Sequence, residues 1–197
     1  MKRKLSPRIA LLIIAALFIV PLVFAWLMYS GTIAYQPAQT RNLGNLVKPP
    51  VPVSWDTPQV TGSPDNGAEP GLGGHWVVLK DISGPCGPDC VVEVTALRPV
   101  HRAAGRHQGR IRLALLLPDN PPPALADELT RIYPQFLVLE DPSGQLRSAL
   151  ARAAAGHRDY LIDPLGNIMM SYARGSDPND LKQDLKRLLT WSKLDEQ

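Results

Sequence analysis

The 197-residue sequence predicts an α/β domain, with a central mixed sheet flanked by helices, behind one N-terminal transmembrane helix. Two observations predict this class. An uncharged apolar run covers residues 9–29, and after residue 75 short apolar runs typical of buried strands alternate with stretches typical of helices. The length suits one globular unit plus an anchor and is too short for two well-cored domains.

The anchor follows a basic head at residues 1–8, which carries four Lys or Arg and no acid. Because about 20 residues cross a hydrocarbon core of about 30 Å, we predict a transmembrane helix over residues 9–30. No clear small-x-small cleavage site follows the run, which favours a retained anchor. The positive-inside rule then predicts a single-pass protein of the cytoplasmic (inner) membrane, with a cytoplasmic N-terminus and a periplasmic C-terminal domain.

The remaining charge argues against a nucleic-acid partner. Residues 9–197 contain 17 bases and 18 acids, so the basic balance of the chain comes from the head. Arg98, Arg102 and Arg106 fall at helical spacing in a stretch without acids, where anionic lipid or an acidic partner would suit them. We interpret them as a solvated face, and we interpret His75, His101 and His107 as surface residues.

Residues 31–74 are rich in Pro, Gly, Asn and Thr and have no periodic apolar pattern. This composition predicts an extended linker, with at most a short strand at residues 51–53, and a domain at residues 75–197. Within the domain we predict strands at 76–80, 111–117 and 136–140 and two more around the turn at 163–166. Helices are predicted after residue 90 with a break caused by Pro99, at 124–133, at 143–155 and from Pro178.

This order of elements is that of a thioredoxin-like fold with an inserted helix and strand. In that plan the first strand leads directly into a helix bearing the redox cysteines, and Cys86 and Cys90 lie at this point of the chain. Residues at i and i+4 share one helix face, and the positive helix end favours thiolate, so disulfide exchange and soft-metal binding are both open. A structural disulfide is the third alternative.

The motifs CGPDC, YLIDPLGNIMMSY and GSDPNDLKQDLKRLL resemble the Sco/SenC family of cytochrome c oxidase assembly proteins. The resemblance covers residues 75–189. It implies a Cu(I) site formed by Cys86, Cys90 and a distant histidine, for which His157 is the candidate. It also implies that the partner is the oxidase subunit carrying the copper site.

The sequence departs from this family at Gly87 and Val91, where prolines are usual, and His157 lies about two residues closer to its strand than expected. Gly156 and His157 also stand where thioredoxin-type oxidoreductases usually have a cis-proline. The first hypothesis is therefore an assembly factor that delivers copper or reduces the oxidase cysteines, rather than an enzyme. The alternatives are a membrane-tethered thiol-disulfide oxidoreductase, with Cys86 and Cys90 catalytic, and an interaction module with a structural disulfide.

Overall fold

The computed structural model describes residues 6–30, 41–62, 71–82 and 84–192. The chain divides into two units, Met1–Arg41 and Asn42–Gln197. The first unit contains one helix, α1 (Pro7–Tyr29), which is long and apolar enough to span a membrane. Pro21 lies inside this helix, a position that membrane helices tolerate.

The second unit is built on a seven-stranded mixed sheet with the order β1-β7-β6-β3-β4-β5-β2. Strands β3, β4 and β5 run parallel, whereas β1, β2, β6 and β7 make antiparallel pairs. The strands are β1 (Asn45–Pro52), β2 (Gln59–Gly62), β3 (Trp76–Asp81), β4 (Ile111–Leu116), β5 (Phe136–Glu140), β6 (His157–Ile162) and β7 (Asn167–Ala173). This confirms the predicted thioredoxin-like α/β fold.

Five helices and one 3₁₀ helix complete the unit: α2 (Pro88–Thr95), α3 (Leu97–Ala103), the 3₁₀ helix (Gly105–Arg110), α4 (Leu125–Ile132), α5 (Gln145–Ala154) and α6 (Pro178–Trp191). The break between α2 and α3 has a local cause. A proline ring clashes with the carbonyl four residues earlier, and for Pro99 that residue is Thr95, where α2 ends. At the start of α6, Asp177 accepts a hydrogen bond from the Asn179 amide and caps the helix.

The core forms two clusters on the two faces of the sheet, because successive strand residues face opposite sides. Trp76 and Val78 belong to the first cluster, which also contains buried residues of α2, α3, α4 and α6. Val77 and Leu79 belong to the second cluster, which α5 covers. The first face therefore carries the helix that bears the cysteines.

Strands β1 and β2 lie within residues 31–74, where we expected a linker. They form the two edges of the sheet, β1 beside β7 and β2 beside β5. Proline is compatible with an edge strand because one side of that strand needs no ladder hydrogen bonds. Three prolines in β1 therefore gave this segment the composition of a linker.

Asp184 of α6 fixes the start of the second unit. Its carboxylate is 3% exposed and accepts hydrogen bonds from the backbone amides of Leu43 and Gly44, at 2.8 and 2.9 Å, and from the Tyr172 hydroxyl at 3.1 Å. A Cβ atom on Gly44 would lie 2.4 Å from the Tyr172 ring, so the backbone approaches this ring as only glycine allows. Residues 42–44 are thus held in the folded domain.

Candidate functional site

Cys86 and Cys90 form a disulfide at the start of α2, with Cα atoms 5.1 Å apart. Cys86 precedes the N-cap residue Gly87, and Cys90 lies in the first helical turn behind Pro88. Both cysteines are half-buried and pack against the first core cluster. The pair is therefore anchored by the core and still reachable from solvent.

A buried ion pair lies on the same side of the sheet as the cysteines. Lys80 of β3 is 5% exposed, and its Nζ donates to Asp159 Oδ2 of β6 at 3.0 Å and to Glu93 Oε2 of α2 at 3.5 Å. Burial raises the pKa of the Asp159 carboxyl, and the Lys80 ammonium opposes that shift. These three charges share a small cavity of about 50 Å³ with neighbouring residues of α3, β7 and α6.

A second cavity of about 50 Å³ connects this ion pair to the disulfide. Cys90, Lys80 and Glu93 line it, together with Arg158 and Arg174. Arg158 also donates from Nη1 to the Asp81 carbonyl at 3.1 Å. The carboxylates of Glu93 and Asp81 line this cavity as well, so Cys90 borders a cluster of both positive and negative charges.

His157 occupies the first position of β6 and pairs with Ala173. Its side chain is half-buried, and its Nδ1 atom is buried without a hydrogen-bond partner among the described residues. The register of β6 shifts between His157 and Asp159. The cavity at Cys90 is lined by the next residue, Arg158, and His157 is not among its lining residues.

Two thiolates and an imidazole would make a suitable soft site for Cu(I). The structure joins the two sulfurs in a disulfide, and in residues 6–30, 41–62, 71–82 and 84–192 no three His, Cys, Asp or Glu side chains form a group able to hold a metal. Arginine side chains line the cavity beside Cys90. In this oxidised conformation the residues do not fit a three-ligand copper site.

Residues 76–192 match the model of a family described as "Transmembrane-like, thioredoxin-like, C-terminal domain". The chain belongs to this family. Among curated proteins no significant match was found.

Solved structures of other proteins share the fold of this chain. Yeast Sco1 with copper bound matches with a TM-score of 0.50 and 16% identity, over 61% of this chain and 82% of Sco1. BsSco, described as a member of the Sco family of cytochrome c oxidase assembly proteins with a disulfide switch, matches with a TM-score of 0.50 and 15% identity, over 79% of this chain and 100% of BsSco. At these identities the likeness shows the thioredoxin-like fold.

Polar side chains are buried on the first face of the sheet, and this was not predicted from the sequence. His101, predicted at the surface, is 6% exposed, and its Nδ1 lies 2.9 Å from the Tyr133 hydroxyl. The prediction was wrong because the Tyr133 hydroxyl, 32 residues away in the sequence, provides the hydrogen-bond partner that offsets the cost of burying the His101 imidazole. A signal for Lys80 was present in the sequence, since a single lysine ends the otherwise apolar run WVVLK.

Proposed function

We propose that the protein is a membrane-anchored, Sco-like assembly factor that reduces the cysteines of the copper site of cytochrome c oxidase through Cys86 and Cys90. The observation that carries the proposal is the half-exposed disulfide at the start of α2, in a domain of the transmembrane-like, thioredoxin-like family. The oxidase as partner rests on the Sco resemblance of the sequence motifs. The description of BsSco as an oxidase assembly protein with a disulfide switch supports it.

The exchange conserves electrons and atoms. The Cys86 thiolate attacks one sulfur of the partner's disulfide, and the partner's second sulfur leaves as a thiolate that takes a proton from water. The Cys90 thiolate then attacks the Cys86 sulfur and releases the first partner sulfur, which is also protonated. Two electrons pass to the partner, the Cys86–Cys90 disulfide forms, and a dithiol donor must reduce it again.

The roles of the two cysteines follow from their surroundings. Cys86 precedes the helix and is the sulfur we assign to the attack, whereas Cys90 lies against the cavity that contains Lys80 and Arg158. A cation beside a sulfur stabilises its thiolate, and we therefore assign Cys90 to the resolution of the mixed disulfide. The arrangement supports a reductant with one attacking and one resolving thiol.

The test uses the reduced full chain in nanodiscs and an oxidised peptide that carries the two cysteines of the oxidase copper loop. We expect the parent to reduce the peptide, Cys90→Ser to accumulate a mixed disulfide, and Cys86→Ser to do neither; the peptide with both cysteines replaced by serine is the control. If the parent fails to exchange and the double serine variant only loses stability, the pair is a structural disulfide.

Copper binding is the second candidate, favoured by the unpartnered Nδ1 of His157. It would require reduction of the disulfide and a rearrangement that brings His157 to the sulfurs. The test is anaerobic titration of the reduced chain with Cu(I) against a chelator, comparing the parent with His157→Ala. Tight one-to-one binding that the variant loses would support copper delivery, and equal or absent binding would refute the three-ligand site.

A further inference from the structure

A basic surface lies on α3 and the 3₁₀ helix, which follow the cysteine-bearing helix α2 in the chain. Arg102 and Arg106 are exposed and Arg98 is half-buried, and the chain carries no acid from Val94 to Pro118. Among the described residues, no ion pair joins any of these three arginines to a carboxylate. Their charge is thus available to an external anion.

The arginines are held in place by neighbouring groups. The guanidinium carbons of Arg98 and Arg102 lie 5.8 and 5.9 Å from the centre of the Tyr133 ring. The Gln108 side chain donates to the Arg102 carbonyl at 3.2 Å and ties α3 to the 3₁₀ helix. Because cation–π contacts restrict the side chains before any ligand arrives, less entropy is lost on binding.

An exposed tryptophan adjoins this surface. Trp191, the last residue of α6, is 85% exposed. Arg110 of the 3₁₀ helix donates to the carbonyls of Leu189 and Ser192, at 3.0 and 2.8 Å, and so fixes the end of α6 against the 3₁₀ helix. The end of α6, which carries the exposed Trp191, is thereby held against the 3₁₀ helix that carries Arg106.

We propose that this surface, defined by Arg98, Arg102, Arg106 and Trp191 and called the arginine face, docks on anionic lipid headgroups. Guanidinium groups bind phosphate in a bidentate manner, and tryptophan prefers the membrane–water interface. The same chain contains α1, a helix long and apolar enough to span a membrane, and this favours a lipid surface over an acidic protein as the partner.

The experiment uses the full chain in nanodiscs, made with zwitterionic phosphatidylcholine alone or with added anionic phosphatidylglycerol. The native disulfide leaves no free thiol, so a cysteine introduced by Ala103→Cys on α3 can be labelled with a fluorophore. Energy transfer to acceptor-labelled headgroups reports docking. A label at Ala151→Cys, on α5 across the sheet, is the position control.

We expect transfer from position 103, but not from position 151, to rise with anionic lipid and to fall at high salt. Each basic residue near an anionic surface contributes about fivefold, so Arg102→Glu should lower the ratio of docked to undocked protein about 25-fold. Arg152→Glu on α5 makes the same charge change and should leave the ratio unchanged. Trp191→Ala should weaken docking several-fold while the exposed site leaves folding intact.

Equal transfer in both lipid compositions would overturn the proposal. So would a response to anionic lipid that Arg102→Glu and Trp191→Ala both leave unchanged. Binding of a polyglutamate peptide by a chain that does not dock on anionic nanodiscs would also overturn it, and would assign the arginine face to an acidic protein partner.

Discussion

Leu79 and Lys80 are neighbours on β3 and are both buried, at 0% and 5% exposure, but they face opposite sides of the sheet. Leu79 lies in the second core cluster, among aliphatic residues covered by α5. Lys80 lies on the first face, where Asp159 and Glu93 neutralise it and Cys90 borders the adjoining cavity. At these two adjacent positions, one strand thus buries an apolar side chain on one side of the sheet and a charged side chain on the other.

The difference shows where this fold accommodates chemistry. Burying a charge costs several kcal/mol unless partners compensate it, so a buried ion pair contributes little to stability by itself. The first face contains such a pair next to the cysteines, whereas on the second face β3 buries Val77 and Leu79, and its ion pair, between Asp81 and Arg147 of α5, lies at the end of the strand. The following predictions test this contrast, from the largest expected effect to the smallest.

Lys80→Met should lower the free energy of unfolding by about 3–5 kcal/mol, because it leaves the Asp159 carboxyl buried without its partner. The matched change Leu79→Met, one residue away on the other face, should cost less than about 1.5 kcal/mol. Urea unfolding of the full chain in detergent measures both. The double variant Lys80→Met/Asp159→Leu should recover much of the loss, and equal costs for the two single variants would refute the contrast.

Asp184→Asn should cost about 1–3 kcal/mol, since a neutral amide replaces the carboxylate that accepts from Leu43, Gly44 and Tyr172. The same urea experiment measures it, with Asp180→Asn on the same helix as the control. Hydrogen exchange of the Leu43 and Gly44 amides should accelerate in the Asp184 variant alone. Unchanged exchange would mean that this segment is held by something other than the carboxylate.

Arg158→Ala should slow resolution of the mixed disulfide by up to about tenfold at neutral pH, since it removes a cation from the cavity that Cys90 borders, and cations stabilise thiolates. His157→Ala should change the rate far less, because His157 does not line the cavity. Stopped-flow measurement of partner release against pH compares the two. A larger effect from His157 would place the histidine, and not Arg158, beside Cys90 in the reduced protein.

The smallest expected effect concerns His101, whose pKa burial lowers from its ordinary value of 6.5. A histidine that prefers the neutral form when folded stabilises fully above pH 6.5, and that stability is lost as the pH falls below it. The slope from one proton is at most about 1.4 kcal/mol per pH unit. The unfolding free energy of the parent minus that of His101→Gln should therefore decline between pH 7 and pH 5, and a flat difference would contradict the burial.

Much of this fold was predictable because its signals are local. The apolar run at 111–117 and the Asp177-Pro178 start of α6 each specify one element through burial or capping. The break between α2 and α3 was likewise predictable from Pro99. The cysteine pair could be placed at the start of its helix by the same reasoning, although its role and the domain boundaries stay predictions.

The rest of the fold and of the site depends on contacts between residues that are far apart in the sequence. β1 overlaps the short strand expected at residues 51–53, but its full length is recognisable only through its pairing with β7, more than 100 residues later. Arg158, and not His157, lines the cavity at Cys90, and this depends on an irregularity in the β6–β7 ladder. No spacing in the sequence reveals that irregularity. The partnership of Lys80 with Asp159 needs the β3–β6 pairing to exist first.

β1 and β2 are consecutive in the chain but occupy opposite edges of the sheet. The segment between them packs Val53 and Trp55 against the second core cluster, so it crosses that face as a belt. A pull on the chain from the side of Asn42 would load the hydrogen bonds of Leu43 and Gly44 to Asp184 first, then the β1–β7 ladder and then the belt. Mechanical tension applied from that side would therefore have to peel an edge strand away before it reached β3 and the helix that bears the cysteines.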